Sequence, residues 1–353
     1  MTPEVYITNF NPNFTGVSAT AAAVSRVQAR KLAVQMVGYP LPDCPDPVSR
    51  AEAIRLCRTV PEGRPFSIWH VRRNPEMRAA IWARDVLRRP IRIVFTSAAQ
   101  RRHSAVPRWL INRMDAVIAT SEAAASFVPH VRSVVPHGVD TERFHPSSEK
   151  AAAWGETGFP GMRGVATIGR VRPEKGTDVF VEAMLRVLPD LPDLTALVIG
   201  KIAREHKGFA EALKARIAAA GLSERILFVG EIAPEETPML IRSITLVVNL
   251  PRYEGYGVVP LEAMASGTPF VASEAGHYRE FSAQGTAGLV VPVGDADAAA
   301  AAIRTMLTDP DRYRAAQAAG RSQVETMYSV EREARAITDV YLALWSEAGV
   351  PRT

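Results

Sequence analysis

The chain lacks most of what stabilises small or secreted proteins. Its 353 residues include only two cysteines, Cys44 and Cys57, with no partner pairs and no metal-ligand spacing. No histidine pair has zinc spacing either. No stretch approaches the roughly 18 uninterrupted apolar residues of a membrane-spanning helix. The opening Met1-Thr2-Pro3-Glu4 has no basic start of the kind a secretory signal needs. Together these absences point to a reducing cytoplasm. No Gly-x-Ser-x-Gly elbow is present, and no complete Gly-x-Gly-x-x-Gly follows the first strand, which counts against a dinucleotide dehydrogenase. No nucleic-acid-binding motif accompanies the basic charge.

What remains is an ordinary globular composition, 47% hydrophobic and 22% charged. Two domains are expected at this length. The net charge of +5 is unevenly spread: residues 1–150 hold 21 Lys/Arg against 12 Asp/Glu, and the remainder 21 against 25. The basic excess lies wholly in the first half and suits an anionic partner.

Short apolar runs alternate with helical segments in both halves. In the first, strands are expected at Glu4–Phe10, Phe66–Val71, Ile91–Ser97 and Ala116–Thr120, with helices at Thr15–Ala33 and Pro75–Arg89 and a helix capped by Ser121. The Pro/Gly/Ser-rich stretch from His137 to Gly164 reads as a linker. Beyond it the alternation restarts with Val165–Ile168 and runs to Leu289–Val293. Near-continuous apolar strands between helices imply parallel sheets covered on both faces. The expected organisation is two doubly wound α/β domains, 1–155 and 156–330, with a C-terminal helix from 331 packing back across both. Asp295-Ala296-Asp297 resembles a metal-binding acid pair, but its place before a helix makes Asp295 a cap.

Two constellations carry chemistry. Gly169-Arg170-Val171-Arg172-Pro173-Glu174-Lys175-Gly176 follows a strand, so two cations stand at a strand's carboxyl end, where such sheets bind ligands. Arg170 offers a planar fork and Lys175 a mobile point charge, both suited to a diphosphate. The bland alternative is a solvated loop. The second constellation is Glu254-Gly255-Tyr256-Gly257-Val258-Val259, leading into a helix that holds Glu262. The glycines permit tight turning, and the helix N-terminus favours an anion. Glu262 is placed to take ribose hydroxyls, and Glu254 to stay near the reacting end. Otherwise the two are a helix-start carboxylate and an exposed loop acid.

Two glutamates with seven residues between them, within Glu-Gly-Tyr-Gly and Leu-Glu-Ala-Met-Ala-Ser-Gly-Thr-Pro, resemble glycosyltransferase family 4 of the GT-B fold. Asp115-Ala-Val-Ile-Ala-Thr-Ser121 and Val135-Pro-His-Gly-Val-Asp140-Thr-Glu-Arg-Phe144 are similar to its other motifs. The resemblance implies two Rossmann-like domains facing across a cleft and a retaining transfer that needs no metal or cofactor. Arg170 and Lys175, beside Gly169, would stabilise the leaving diphosphate. Glu254 would hold the sugar and Glu262 the ribose. The backbone from Gly255 through Tyr256, Gly257, Val258 and Val259 would meet phosphate and sugar, and Glu231 and Ile232 would lie near the base. The family's glycine-rich first loop is reduced here to Gly16, kept as a donor contact. Its histidine after the Ile91–Ser97 strand is missing, and His103 is either a displaced catalytic equivalent or a sign that the role is absent.

The segment around Trp69-His70-Val71-Arg72-Arg73 and the arginines from Arg84 to Arg113 resemble mannosyltransferases of the lipopolysaccharide inner core. That likeness implies GDP-mannose as donor and the Kdo sugar of a lipid A precursor as acceptor. His70, Arg72, Arg73, Arg101 and Arg102 are then acceptor candidates, and the enzyme would sit on the inner face of the cytoplasmic membrane. A different donor such as UDP-glucose, a nucleotide-sugar epimerase, and a basic binding module without activity are the alternatives.

Overall fold

A computed structural model describes residues 2–349 and divides the chain into two compact units. The first takes in Met1–Gly138 together with Tyr328–Thr353, and the second is Val139–Met327.

The first unit is built on six parallel strands: β1 (Val5–Asn9), β2 (Val34–Gly38), β3 (Ser67–Val71), β4 (Ile91–Ser97), β5 (Ala116–Ala119) and β6 (Val131–Val134). Their order is β2-β1-β3-β4-β5-β6. β1 and β3 are buried at every position, as an apolar run covered on both faces should be. One face, with Ile7, Ile68, Val94 and Ile118, packs under the helix Gly16–Gln28 and the last helix, Val330–Ala348. The other face, with Trp69, Ile93 and Val117, is covered by Asn74–Ile81 and Ala105–Ile111. The last helix begins on a Ser329 cap and is fastened at its middle and near its C-terminal end. Gln28 donates to Thr338 Oγ1 at 3.0 Å, and Trp345 Nε1 donates to the Phe66 carbonyl at 2.9 Å. This helix therefore belongs to the first unit.

The second unit has β7 (Arg163–Ile168), β8 (Leu194–Ile199), β9 (Ile226–Gly230), β10 (Leu246–Asn249), β11 (Phe270–Ser273) and β12 (Gly288–Val291). The parallel order is β12-β11-β10-β7-β8-β9, the doubly wound arrangement of dinucleotide-type folds. Chain direction across the sheet reverses between β7 and β10, and between β1 and β3 in the first unit.

The boundary lies at 138/139 rather than 155/156. The intervening residues look like linker in composition, yet they are tied into the second unit. Arg321 donates to the Phe144 carbonyl at 3.0 Å. Lys150 Nζ donates to the carbonyls of Arg242 and Ile244 and to Thr268 Oγ1 at 2.8–2.9 Å, and Trp154 is buried. The expected helix Pro75–Arg89 is also shorter. After Ile81 it widens by a residue per turn, with Leu87 N–H reaching the Trp82 carbonyl, and it ends where Arg88 turns left-handed at φ 51°. The caps expected at Ser121 and Asp295 are present, accepting from Ala124 N at 3.0 Å and Ala298 N at 2.8 Å.

Candidate functional site

The second unit gathers its chemistry on the loops after β7 and β10, at the reversal point of the sheet. Asn249, last in β10, bridges the two strands: its Oδ1 accepts from Ile168 N and its Nδ2 donates to the Ile168 carbonyl, both at 3.2 Å. The loops then press together. Gly176 has φ +67°, and a Cβ there would lie 1.7 Å from the Leu250 carbonyl oxygen, so only glycine allows the approach. Arg252 clasps the same seam, with two bonds to Asp178 at 2.8 and 2.6 Å and a third to the Pro173 carbonyl.

On this frame Lys175 and Glu254 form an ion pair, each about a quarter or less exposed. The second oxygen of Glu254 accepts from Gly255 N at 3.1 Å. Arg170 stands exposed after β7, and among the described residues its guanidinium has no hydrogen bond or ion pair. Gly257, at φ +87°, leaves room for the buried Tyr278 ring, which a Cβ would strike at 2.3 Å. Tyr256 is buried and stacks on His277 with centroids 5.1 Å apart. Its backbone and those of Gly257 and Val258 lead into the helix Val259–Ala265, which carries Glu262 in its first turn. Burial pushes the Glu262 carboxyl up to about 7, opposed by the Arg143 guanidinium. Glu231, exposed, follows β9 at the sheet edge beside Ile232 and pairs with Lys201 at 3.7 Å. The arrangement offers an unpaired cation, a cation held in reserve by a carboxylate, and a raised carboxyl at a helix start.

The first unit treats its candidates unequally. His70 is no acceptor contact. It lies inside β3 with no exposure, its Nδ1 against Tyr341 Oη and its Nε2 2.7 Å from Thr96 Oγ1. Burial lowers its pKa well below 6.5, so it is neutral. Arg73 is also spent internally, on Asn9 and Glu76 at 3.1 Å and on Thr15 and Ser18 at 3.1–3.2 Å. Gly16 opens its helix exposed, and a Cβ there would meet nothing, so neither space nor dihedral demands glycine. Arg101 and Arg102 are exposed on the loop after β4, and His103 follows them half-buried, its Nε2 without a partner. Arg72 keeps Nε and Nη1 buried and unbonded. Part of the arginine run is neutralised: Arg84 and Arg92 share Asp115 at 2.7–2.8 Å, and Arg113 meets Asp85 at 3.1 Å.

The model of the family described as glycosyl transferases group 1 matches residues 159–323, the span holding these loops. The lipopolysaccharide core biosynthesis mannosyltransferase LpsB of Rhizobium meliloti is 42% identical, over 97% of this chain and 97% of its own. LpcC of Rhizobium leguminosarum, with the same description, is 42% identical over 97% and 96%. The chain belongs to the group 1 glycosyltransferases. In fold, this glycosyltransferase matches HepE of Anabaena in complex with UDP and glucose, with a TM-score of 0.82 at 17% identity, over 97% of this chain and 100% of that one. The architecture is GT-B.

Four residues that hold the glycosyltransferase site together escape motif reading. Asn249, Arg252 and Asp178 join the loops after β7 and β10. Glu76 does the same in the first unit: fully buried, it accepts from Thr8 Oγ1, from the backbone of Phe10, Arg72 and Arg73, and from the Arg73 side chain. Only its position three residues into a helix hinted at this, as the acid of a capping box.

Proposed function

We propose that this glycosyltransferase moves mannose from GDP-mannose, with retention and without metal or cofactor, to the Kdo sugar of a lipid-linked lipopolysaccharide-core acceptor. The observation that carries the reading is the 42% identity, over nearly the whole of both chains, to two lipopolysaccharide core mannosyltransferases. The chemistry of the second unit supports it. Arg170 and Lys175 meet the diphosphate, and their charge acts where negative charge grows as the bond to the sugar breaks. Glu254, released from Lys175, takes sugar hydroxyls. Glu262 takes the ribose, with Glu231 and Ile232 beside the base.

The acceptor side falls to the first unit, with Arg72, Arg101, Arg102 and His103 at the carboxyl ends of β3 and β4. No described helix is long and apolar enough to cross a membrane. The helices covering one sheet face expose Trp82, Val86, Val106 and Trp109 by 48–64%, among the exposed Arg78, Arg88 and Arg108. Aromatic rings with arginines suit an anionic headgroup layer, which is the peripheral association proposed.

The test is transfer from GDP-mannose to a Kdo-lipid A precursor with excess chelator, with the product's anomeric configuration read by NMR. Thermal shift against GDP-mannose and UDP-glucose runs in parallel. Stabilisation by UDP-glucose alone would overturn the donor, an inverted product the stereochemistry, and chelator-sensitive transfer the metal independence. Binding to vesicles of anionic but not neutral lipid is expected. Equal binding to both, or to neither, removes the membrane role.

A further inference from the structure

Arg72 follows β3 at the reversal point of the first sheet, and its guanidinium is short of partners. Nε and Nη1 are buried, and neither makes a hydrogen bond. Among the described residues nothing else pairs with the group. Two carboxylates lie near enough to act on it, Glu76 and Glu333, and both are committed elsewhere. Glu76 is filled by Thr8, Arg73 and three backbone N–H groups. Glu333 accepts from His137 Nδ1 and from Gly138 N, both at 2.7 Å. The Tyr341 hydroxyl is engaged by His70. Its neighbour Arg73 meets four side chains, so the lack is particular to Arg72.

Burying charged donors without acceptors is unfavourable, so a fold that keeps such a group does so for a reason, and a bound oxyanion would supply the missing acceptors. Thr120, just after β5, is also fully buried, and its Oγ1 has no hydrogen bond among the described residues.

We propose that Arg72 anchors an oxyanion subsite of the first unit, taking a carboxylate or phosphate group of the acceptor. The planar guanidinium supplies the fork that such groups accept. This deepens the function proposed above and rests on the first unit taking the acceptor.

The test uses the intact chain with 15N-labelled arginine. The Nε–H resonance of Arg72, assigned by its loss in Arg72→Lys, is followed as acetate, inorganic phosphate and GDP are titrated separately. A saturable shift with acetate or phosphate that GDP does not reproduce supports the subsite. A response to acetate alone marks a carboxylate, and to phosphate alone a phosphate ester. A shift with GDP alone assigns the charge to the donor and overturns the proposal, as does no saturable shift with any of the three. In transfer to the Kdo-lipid A precursor, Arg72→Met should raise the acceptor KM roughly 30-fold or more with donor KM unchanged, since the loss is of one desolvated charge pair. Arg72→Lys should recover part of it. An unchanged acceptor KM in Arg72→Met overturns the subsite. A chain that fails to use this acceptor while its Arg72 still answers to acetate keeps the subsite and refutes only the acceptor named above.

Discussion

Lys175 and Glu254 neutralise each other across the two loops at the reversal point of the second sheet, while Arg170, on the same loop as Lys175, has no hydrogen bond or ion pair among the described residues. The ligand-free site therefore holds one net positive charge in place and stores another behind a carboxylate. In the function proposed above, a diphosphate would take Lys175 and free Glu254 for hydroxyl groups, so one exchange of partners would arm both residues.

Lys175→Ala and Glu254→Ala should each lower kcat by about 10²–10³, the usual result of removing one preorganised charge-stabilising group. The pair is partly exposed, so stability should change by no more than about 1 kcal/mol. Steady-state kinetics beside thermal denaturation separates the two effects. Near-normal turnover in either variant would remove that residue from the site.

Gly176→Ala attacks the frame instead. A methyl group 1.7 Å from the Leu250 carbonyl, at φ +67°, forces the loops after β7 and β10 apart. The expected loss is at least about 2 kcal/mol in chemical denaturation, with weaker nucleotide binding. Wild-type stability with wild-type binding would show that the close approach is dispensable.

Glu262 gives the second unit a pH dependence of known sign. Its carboxyl is raised from 4.5 to about 7 in the folded chain. The folded state thus holds a proton that the unfolded state gives up between those values. This contribution to stability is complete below 4.5 and is lost as pH rises through about 7. Glu262→Gln should flatten the stability profile across that window. The same shift predicts proton release when ribose hydroxyls bind the carboxylate, seen as a buffer-dependent enthalpy in calorimetry near pH 6.5. An unaltered profile in the variant would mean that Glu262 does not titrate there.

His70 acts with the opposite sign. Buried and neutral, it resists a proton that the unfolded chain accepts below 6.5. Stability from this group is present above that value and is lost as pH falls. His70→Gln should lose less stability than the parent between pH 7.5 and 5.5, measured by urea denaturation at both. It should also transfer sugar with an unchanged acceptor KM, because the ring does not reach the acceptor.

The loops after β7 and β10 were legible because their information is local. Glu254, Gly257 and Glu262 fall within nine residues, and Arg170 and Lys175 within six, each set following an apolar strand. The first unit spreads its information along the chain. His70 lies within the strand expected at Phe66–Val71, but nothing local shows that its ring is engaged inside, because the partner is Tyr341, 271 residues on. Arg73 reads as a free cation because its partners Asn9, Thr15 and Ser18 are far upstream. β2 is a half-buried edge strand, and its Val-Gln-Met-Val-Gly run is too short to stand out from the flanking turns. The linker composition of 139–155 concealed contacts that only the folded second unit supplies.

The last helix seats Tyr341 on His70 and Trp345 on Phe66, so the first unit is made from both ends of the chain. In order of synthesis, the second unit is an uninterrupted stretch that is complete before the first. The first waits, with Ile7, Ile68 and Val94 covered on that face by Gly16–Gln28 but not yet by Val330–Ala348, until that helix is made. Loss of the turns that carry Tyr341 and Trp345 would therefore strip the first unit of one layer and spare the second.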